Sequence, residues 1–249
     1  MKLAAVVLTY NEAAHIRACL SSLAFADECI VFDSGSTDET TGLAANAGAQ
    51  VIHHPFQNYA AQRNAALQAV AVWADWVLFV DADERVTPEL AAEILQVVRH
   101  PGDIAGYQIP RHNYIFGKLT RATGWYPDYQ TRLLRAGRAH YDPEKIVHEV
   151  VLLEGDLGTL QTPLVHYNYR DLAHFRQKQR RYSRFEAEVL HEQGTHTRPY
   201  TPFTMFARHF WWRFVTLNGY RDGWHGLLLS LLMARYEFRK YRLLREMKG

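Results

Sequence analysis

Trp76-Val77-Leu78-Phe79-Val80-Asp81-Ala82-Asp83-Glu84 decides how this chain is read. An apolar run of strand length, rich in β-branched and aromatic residues, ends in acids, which is the pattern of a buried strand delivering carboxylates to its C-terminal tip. In open α/β sheets that tip is where ligands bind. Asp81 and Asp83 are two apart, so a backbone that stayed extended would send both to one side. There they could share one hard cation through oxygen ligands, and the cation could hold a diphosphate. The same residues also fit an acidic turn before a helix, with Thr87 as N-cap, Pro88 in the first turn and Glu89 matched to the helix dipole. An isolated Asp-x-Asp is a weak signal, so the rest of the chain has to decide.

Upstream, Leu3-Ala4-Ala5-Val6-Val7-Leu8 is a second buried-strand run, opening through Thr9-Tyr10-Asn11-Glu12 into a helix with Ile16, Leu20 and Leu23 at helical spacing. Cys29-Ile30-Val31-Phe32 is the next strand and leaves Asp33 at its tip. Ser36 followed by Glu39 is a capping-box pattern and predicts a helix from Ser36. Gly48 to Ile52 turns into a third strand, and Asn58 to Val72 is helical with Ala66, Leu67, Val70 and Ala71 inward. Alternating strands and helices with short links predict an α/β fold: a mostly parallel sheet, flanked by helices and built with right-handed crossovers.

Past a helix over 88–98 the pattern changes. Tyr107 to Arg111 and Gln130 to Arg135 alternate like half-buried strands, and a long aromatic, glycine-containing loop, Asn113 to Asp128, separates them. Loops of that length inside a compact domain usually carry function or move. Two further strand-like stretches, Lys145–Val150 and Pro163–Tyr167, each bring a histidine, His148 and His166, to a strand end. From Leu172 onward the chain reads as helix. Residues 174–185 mix His174, Phe175, Tyr182 and Phe185 with a basic face, and Phe203–Phe214 and Leu227–Ala234 are apolar or aromatic. Arg235, Arg239, Lys240, Arg242, Arg245 and Lys248 follow.

The 249 residues suit one large α/β domain with an appendage, divided here at 1–170 and 171–249. Hydrophobic content of 48% with 22% charged residues excludes a disordered chain. Cys19 and Cys29 lack metal-ligand spacing and read as reduced thiols of a cytosolic protein, with no signal peptide at the N-terminus. The net charge of +2 hides an asymmetry: residues 1–169 carry 12 basic against 19 acidic side chains, and residues 170–249 carry 16 against 7. An acidic front suits a divalent metal, and a basic back suits a phosphate-rich surface. No apolar stretch reaches the roughly 18–20 residues that span a bilayer. The C-terminal aromatics therefore fit a helical region lying on a membrane, a small helical core, or a partner interface.

The combination is more specific than its parts. Strand-Thr9-Tyr10-Asn11-Glu12, strand-Asp33-Ser34-Gly35-Ser36-Thr37-Asp38-Glu39-Thr40, Gln62-Arg63-Asn64 and Asp81-Ala82-Asp83-Glu84, in that order, resemble the family 2 inverting glycosyltransferases of GT-A fold. The likeness is strong over about residues 1–100. Tyr126–Leu133, Val147-His148-Glu149 and Val165–Tyr169 look like the branch that includes the lipopolysaccharide-core β-1,4-glucosyltransferases.

That resemblance implies a site, residue by residue. Thr9, Tyr10, Asn11, Glu12 and Ala82 would line the nucleotide-sugar pocket, with Asp33 accepting from uracil or ribose and Arg63 neutralising phosphate or fixing the loop. Asp83 would bind a divalent metal, Mg²⁺ or Mn²⁺, and Asp81 the ribose or a metal-bound water. His166 would complete the metal shell or simply pack beside Tyr167. Glu149 would be the base, His148 would orient it or touch the acceptor, and Asp128 and Arg132 would lie on the acceptor side. The implied reaction moves a hexose, glucose from UDP-glucose first among them, to a lipid-linked saccharide such as the lipopolysaccharide inner core. The partners are then a UDP-sugar, the acceptor and the cytoplasmic face of the inner membrane, without nucleic acid. A polyprenyl-phosphate or other cell-surface polysaccharide transferase is the alternative within the family. A GT-A-like nucleotidyltransferase is disfavoured because Thr9–Glu12 stands where such enzymes carry a glycine-rich basic loop. A non-catalytic basic binding protein would leave the strand-tip acids unexplained, since an acidic cleft repels polyanions.

Overall fold

The computed structural model describes residues 1–143 and 150–247. Along the chain the elements are β1 (Leu3–Thr9), α1 (Ile16–Ser22), β2 (Glu28–Asp33), α2 (Thr40–Asn46), β3 (Gln50–His53), α3 (Tyr59–Val70), β4 (Trp76–Asp81), β5 (Glu84–Arg85), α4 (Pro88–Arg99), β6 (Ile104–Ile115), β7 (Lys118–Thr120), β8 (Tyr129–Arg135), β9 (Ala139–Tyr141), β10 (Val151–Leu153), β11 (Asp156–Thr159), β12 (Leu164–Tyr169), α5 (Leu172–Glu192), α6 (Thr201–Trp211) and α7 (Gly223–Glu246). They form two compact units. The first holds residues 1–111 and 129–166, the second 112–128 and 167–249. The Asn113–Asp128 stretch, between two strands in sequence, belongs almost wholly with the C-terminal helices.

The first unit is the expected α/β layer structure. β3, β2, β1 and β4 lie side by side and parallel, β8 adds antiparallel to β4, and β6 antiparallel to β8. The alternation of side chains explains why β1 and β4 read as unbroken apolar runs. Leu3, Ala5, Val7, Leu78 and Val80 face α1 and α4, packing on Ile16, Leu20, Leu23, Leu90 and Ile94. Ala4, Val6, Ile30, Phe32, Val77 and Phe79 face α3, packing on Ala60, Ala66, Leu67 and Val70. Both faces are covered, so neither can be polar. α3 starts at Asn58, whose side chain accepts from Ala61 N, and α4 at Thr87, which accepts from Leu90 N ahead of Pro88.

Two local expectations change. The Ser36/Glu39 capping box is not used: α2 begins at Thr40, and the Ser36 hydroxyl donates to Asp33 instead. The strand expected over 145–150 falls mostly on residues 144–149, outside the described residues. Their flanks form a hairpin, β9 antiparallel to β10, closed by Asp142 N donating to Val150 O at 2.9 Å.

In the second unit, β6 continues to Ile115 and pairs with β7 through a tight turn at Phe116-Gly117, both with positive φ. That pairing of positive φ values suits the right-handed twist of a hairpin. Residues 121–123 are tied to the helices: Asp222 accepts from Arg121 N and Ala122 N, and Arg213 Nη1 donates to Thr123 O. The core of this unit is Ile115, Tyr169, Phe175, Leu229 and Tyr236. Of the four aromatic positions expected to alternate along α5, Phe175 is buried whereas Tyr182 and Phe185 are exposed. Residues 203–214 and 227–234, read as separate stretches, are arms of one helical hairpin. α6 passes through a π-helical turn at Trp212–Thr216 and a 3₁₀ turn at Gly219–Asp222 into α7, whose 24 residues include most of the basic tail. Among the described residues, no helix is long and apolar enough to cross a membrane.

The hairpin turns at a glycine contact. A Cβ on Gly226 would lie 1.9 Å from the Gly219 carbonyl oxygen, closer than any backbone can tolerate. Gly226→Ala should therefore destabilise the second unit by about 1–3 kcal/mol, read as a lowered urea midpoint of its unfolding; an unchanged midpoint would refute this packing.

Candidate active site

The C-terminal ends of β1, β2 and β4, with α3, β8 and β12 beside them, bring together most of the residues singled out in the first unit. At the tip of β1, Thr9 is buried and its hydroxyl donates to Asp33 Oδ1 at 3.1 Å. Asp33 is fully buried. Oδ1 also accepts from the Ser36 hydroxyl at 2.5 Å, and Oδ2 accepts from Gly35 N and Ser36 N at 3.0 and 2.9 Å. Burial alone would raise its pKa, but these donors hold it below the usual carboxylate range. Asp33 therefore stabilises the turn itself, with the Ser36 hydroxyl, expected to cap the following helix, among its donors.

The next residues extend the same lattice. Asn11 adopts φ +57, with its N–H donating to the Ser36 hydroxyl and its Oδ1 accepting from Thr37 N at 2.8 Å. Asn tolerates the left-handed region better than most residues, which explains its use here. Glu12 N donates to the Thr40 hydroxyl, and the Glu12 carbonyl accepts the first N–H bonds of α1. Tyr10 stands out with 61% of its surface exposed.

β4 ends at Asp81, and residues 82–83 turn at once into β5. The extended backbone on which the shared-cation geometry depended therefore stops at Asp81. Asp81 faces arginines: Arg132 Nη2 makes a short ion pair to its Oδ2, Arg132 Nη1 lies 3.3 Å from Oδ1, and Arg63 Nη2 lies 3.5 Å from Oδ1. Burial opposes the charge, but Arg132 and Arg63 outweigh it and keep the Asp81 carboxyl well below the ordinary range. Arg63 is itself buried, its guanidinium 5.0 Å from the Phe79 ring centre. Ala82 packs in the core, and its carbonyl accepts from Arg85 Nη1.

Glu84 is the residue that the motif reading undervalued. It is fully buried, closes the turn by accepting from Asp81 N at 2.9 Å, and accepts from Arg111 and Arg132 at 3.2 Å each. Arg132, expected on the acceptor side, is 4% exposed and bridges Asp81 and Glu84. Its sequence signal was present in the alternation of β8, but its partners lie some fifty positions away. Gln62, quoted in the motif without a role, is buried, and its Nε2 donates to the Ser34 hydroxyl and the His54 carbonyl.

Asp83 goes elsewhere. Its Oδ2 lies 3.5 Å from Nε2 of His166, which is 7% exposed. Strand pairing explains how residues so distant meet: β12 runs antiparallel to β5 with His166 opposite Glu84, next to Asp83. One carboxylate oxygen and one imidazole nitrogen facing each other fit a divalent metal that takes its remaining ligands from diphosphate and water. Among the described residues no group of three or more His, Cys, Asp or Glu side chains is placed to hold a metal alone. Asp128 lies in the second unit, accepting from Asn113 Nδ2 at 3.0 Å. His148 and Glu149 are outside the described residues.

Strand-tip acids, a wired turn after β1 and an arginine-bound acid after β4 lie at the carboxyl edge of an α/β sheet, the edge where such sheets bind ligands. The model of "Glycosyl transferase family 2" matches residues 4–150, and the chain belongs to that family. It is 28% identical, over 98% of its length and 94% of the relative, to "Lipopolysaccharide core biosynthesis glycosyltransferase LpsC" of Rhizobium meliloti (strain 1021). An uncharacterized glycosyltransferase of Rickettsia felis is 29% identical over 98% of this chain and 90% of its own. A solved glucosyl-3-phosphoglycerate synthase of Mycobacterium tuberculosis, in complex with Mn²⁺ and UDP, is 26% identical over 43% of each chain with a TM-score of 0.38.

The buried ion network makes a prediction. Arg132→Gln leaves Glu84 and Asp81 with one guanidinium fewer and should cost about 3–5 kcal/mol at neutral pH. The Asp81 pKa is lower folded than unfolded, so its contribution is present above about pH 4 and is lost as pH falls further. The gap between wild type and variant, measured by denaturant unfolding, should narrow below that pH; a gap that stays constant would place the stabilisation elsewhere.

Proposed function

We propose that this family 2 glycosyltransferase transfers a hexose with inversion from a UDP-sugar, UDP-glucose being the leading case, to a lipid-linked saccharide of the lipopolysaccharide inner-core type. The observation that carries the reading is the Asp83–His166 pair at the carboxyl edge of the sheet, beside the turn wired by Thr9, Asn11 and Asp33. The acceptor class is supported by the relative named for lipopolysaccharide core biosynthesis, and the donor by the motif order of residues 9–84.

In this reading the acceptor hydroxyl oxygen bonds to the anomeric carbon from the face opposite the nucleotide. Its proton passes to Glu149, and the bond to the diphosphate oxygen breaks with its electron pair leaving on UDP. A carboxylate of ordinary basicity suffices because the attacking oxygen becomes acidic as its bond forms. A divalent metal held by Asp83 and His166 would supply positive charge to the departing diphosphate. Arg132 and Arg63 fix Asp81 for ribose contact, Tyr10 offers an exposed ring beside the nucleotide, and Asp33 acts by holding the turn in shape. The basic second unit keeps the enzyme at the cytoplasmic face of the membrane that bears the acceptor.

UDP release from a panel of nucleotide sugars tests this. One UDP-sugar should be turned over, with activity lost on EDTA treatment and restored by Mg²⁺ or Mn²⁺. Asp83→Ala and His166→Ala should each lower the rate by about a hundredfold or more, and Glu149→Gln should lower transfer by about 10²–10⁴-fold while UDP binding persists. Silence across the panel with no UDP binding would sink the donor assignment.

A further inference from the structure

The helical hairpin of the second unit is closed at one end and leaves its largest apolar side chains in water. α6 and α7 run antiparallel, since Phe203 near the start of α6 packs on Phe238 late in α7 at 5.1 Å between ring centres, while Gly219 meets Gly226 at the turn. The tip therefore carries Trp211, Trp212, Tyr220 and Trp224, and these are 63%, 44%, 51% and 80% exposed. Tyr220 and Trp224 make no hydrophobic core, yet tryptophan gains more from leaving water than almost any residue. Such exposure calls for an occupant.

The charges say which. From Pro199 to Arg235 the only acid is Asp222, whose carboxylate is taken by the N–H groups of Arg121 and Ala122. Arg208 and Arg221 are exposed beside the aromatic tip. Along α7 the exposed side chains form one stripe at three- and four-residue spacing: Trp224, Leu228 and Leu231, then Arg235, Arg239 and Arg242. At the helical rise the apolar part covers about 10 Å and the basic part begins about 16 Å from Trp224. Opposite this stripe Gly226, Leu229, Ser230 and Ala234 are buried, so the stripe is the outer face. An apolar tip with Trp and Tyr at its edge, grading into arginines, matches the layering of hydrocarbon boundary and phosphate plane.

We infer that the α6–α7 tip is an insertion element for an anionic phospholipid bilayer. Trp211, Trp212, Tyr220 and Trp224 enter the acyl boundary, and Arg235, Arg239 and Arg242 rest on lipid phosphates. This rests on the membrane part of the proposed function and specifies how it is met; it is independent of the donor and of the chemistry.

The test is flotation of the full-length protein with vesicles of phosphatidylethanolamine and phosphatidylglycerol, compared with phosphatidylcholine alone. Wild type should float with the anionic vesicles. Trp211→Ser combined with Trp224→Ser should weaken partitioning about tenfold or more, and each of Arg235→Gln, Arg239→Gln and Arg242→Gln about fivefold, on anionic vesicles only. Lipids brominated along the acyl chain should quench wild-type tryptophan fluorescence and quench the double tryptophan variant far less. Both sets of variants keep exposed positions exposed and should retain wild-type unfolding midpoints and UDP binding. If wild type floats and the tryptophan variant floats equally, the tip is overturned while the membrane reading survives. If wild type does not float at all, both fall. A dimer in solution that the tryptophan variant converts to monomer, without flotation, overturns the inference in favour of a second copy of the chain.

Discussion

A buried arginine held between two carboxylates sets the geometry of the first unit. Arg132 comes from β8, the first strand to run against the parallel direction, and Asp81 and Glu84 come from the end of β4 and the turn beyond it. Removing three charges from water is affordable only if each meets the others closely, so the position of β8 along β4 is fixed to within a hydrogen bond. Glu84 also binds the Asp81 N–H, which fastens the turn that aims Asp83 at His166. The acids after β4 thus part ways: Asp81 and Glu84 meet arginines, and Asp83 meets His166.

Much of the first unit was legible because its physics is local. β1 and β4 announce themselves as apolar runs, since both of their faces are packed, and Asn58 and Thr87 mark helix starts by satisfying N–H groups three residues on. The order of motifs was enough to reach the family. What the sequence hid depends on pairing across distance. Nothing near Arg132 shows that its partners are acids some fifty residues back, and nothing near Ser36 shows that Asp33 will claim its hydroxyl before the helix does. Asp81 and Asp83 would share one side only on a strand that stayed extended, and a two-residue turn after Asp81 ends it.

The second unit was hidden for a related reason. A stretch between two strands, residues 113–128, reads as an insertion of the domain around it, yet its N–H and carbonyl groups are satisfied by Asp222, Arg213 and Leu217 from a hundred residues later. Aromatic stretches also carry no label for inside or outside. Phe175 and Tyr236 fill the core while Trp211 and Trp224 face solvent, and the glycine contact at 219 and 226 fixes where the hairpin folds back.

The two loops that follow β1 and β2, hydrogen-bonded to each other, have a thermodynamic meaning of their own. Their backbone N–H groups at Asn11, Glu12, Gly35, Ser36 and Thr37 already have side-chain acceptors, and Asn11 is already in its unusual conformation. A molecule that settles against such a surface has little loop entropy to remove. For any such molecule the free energy of contact would go into affinity instead of being consumed in ordering the protein.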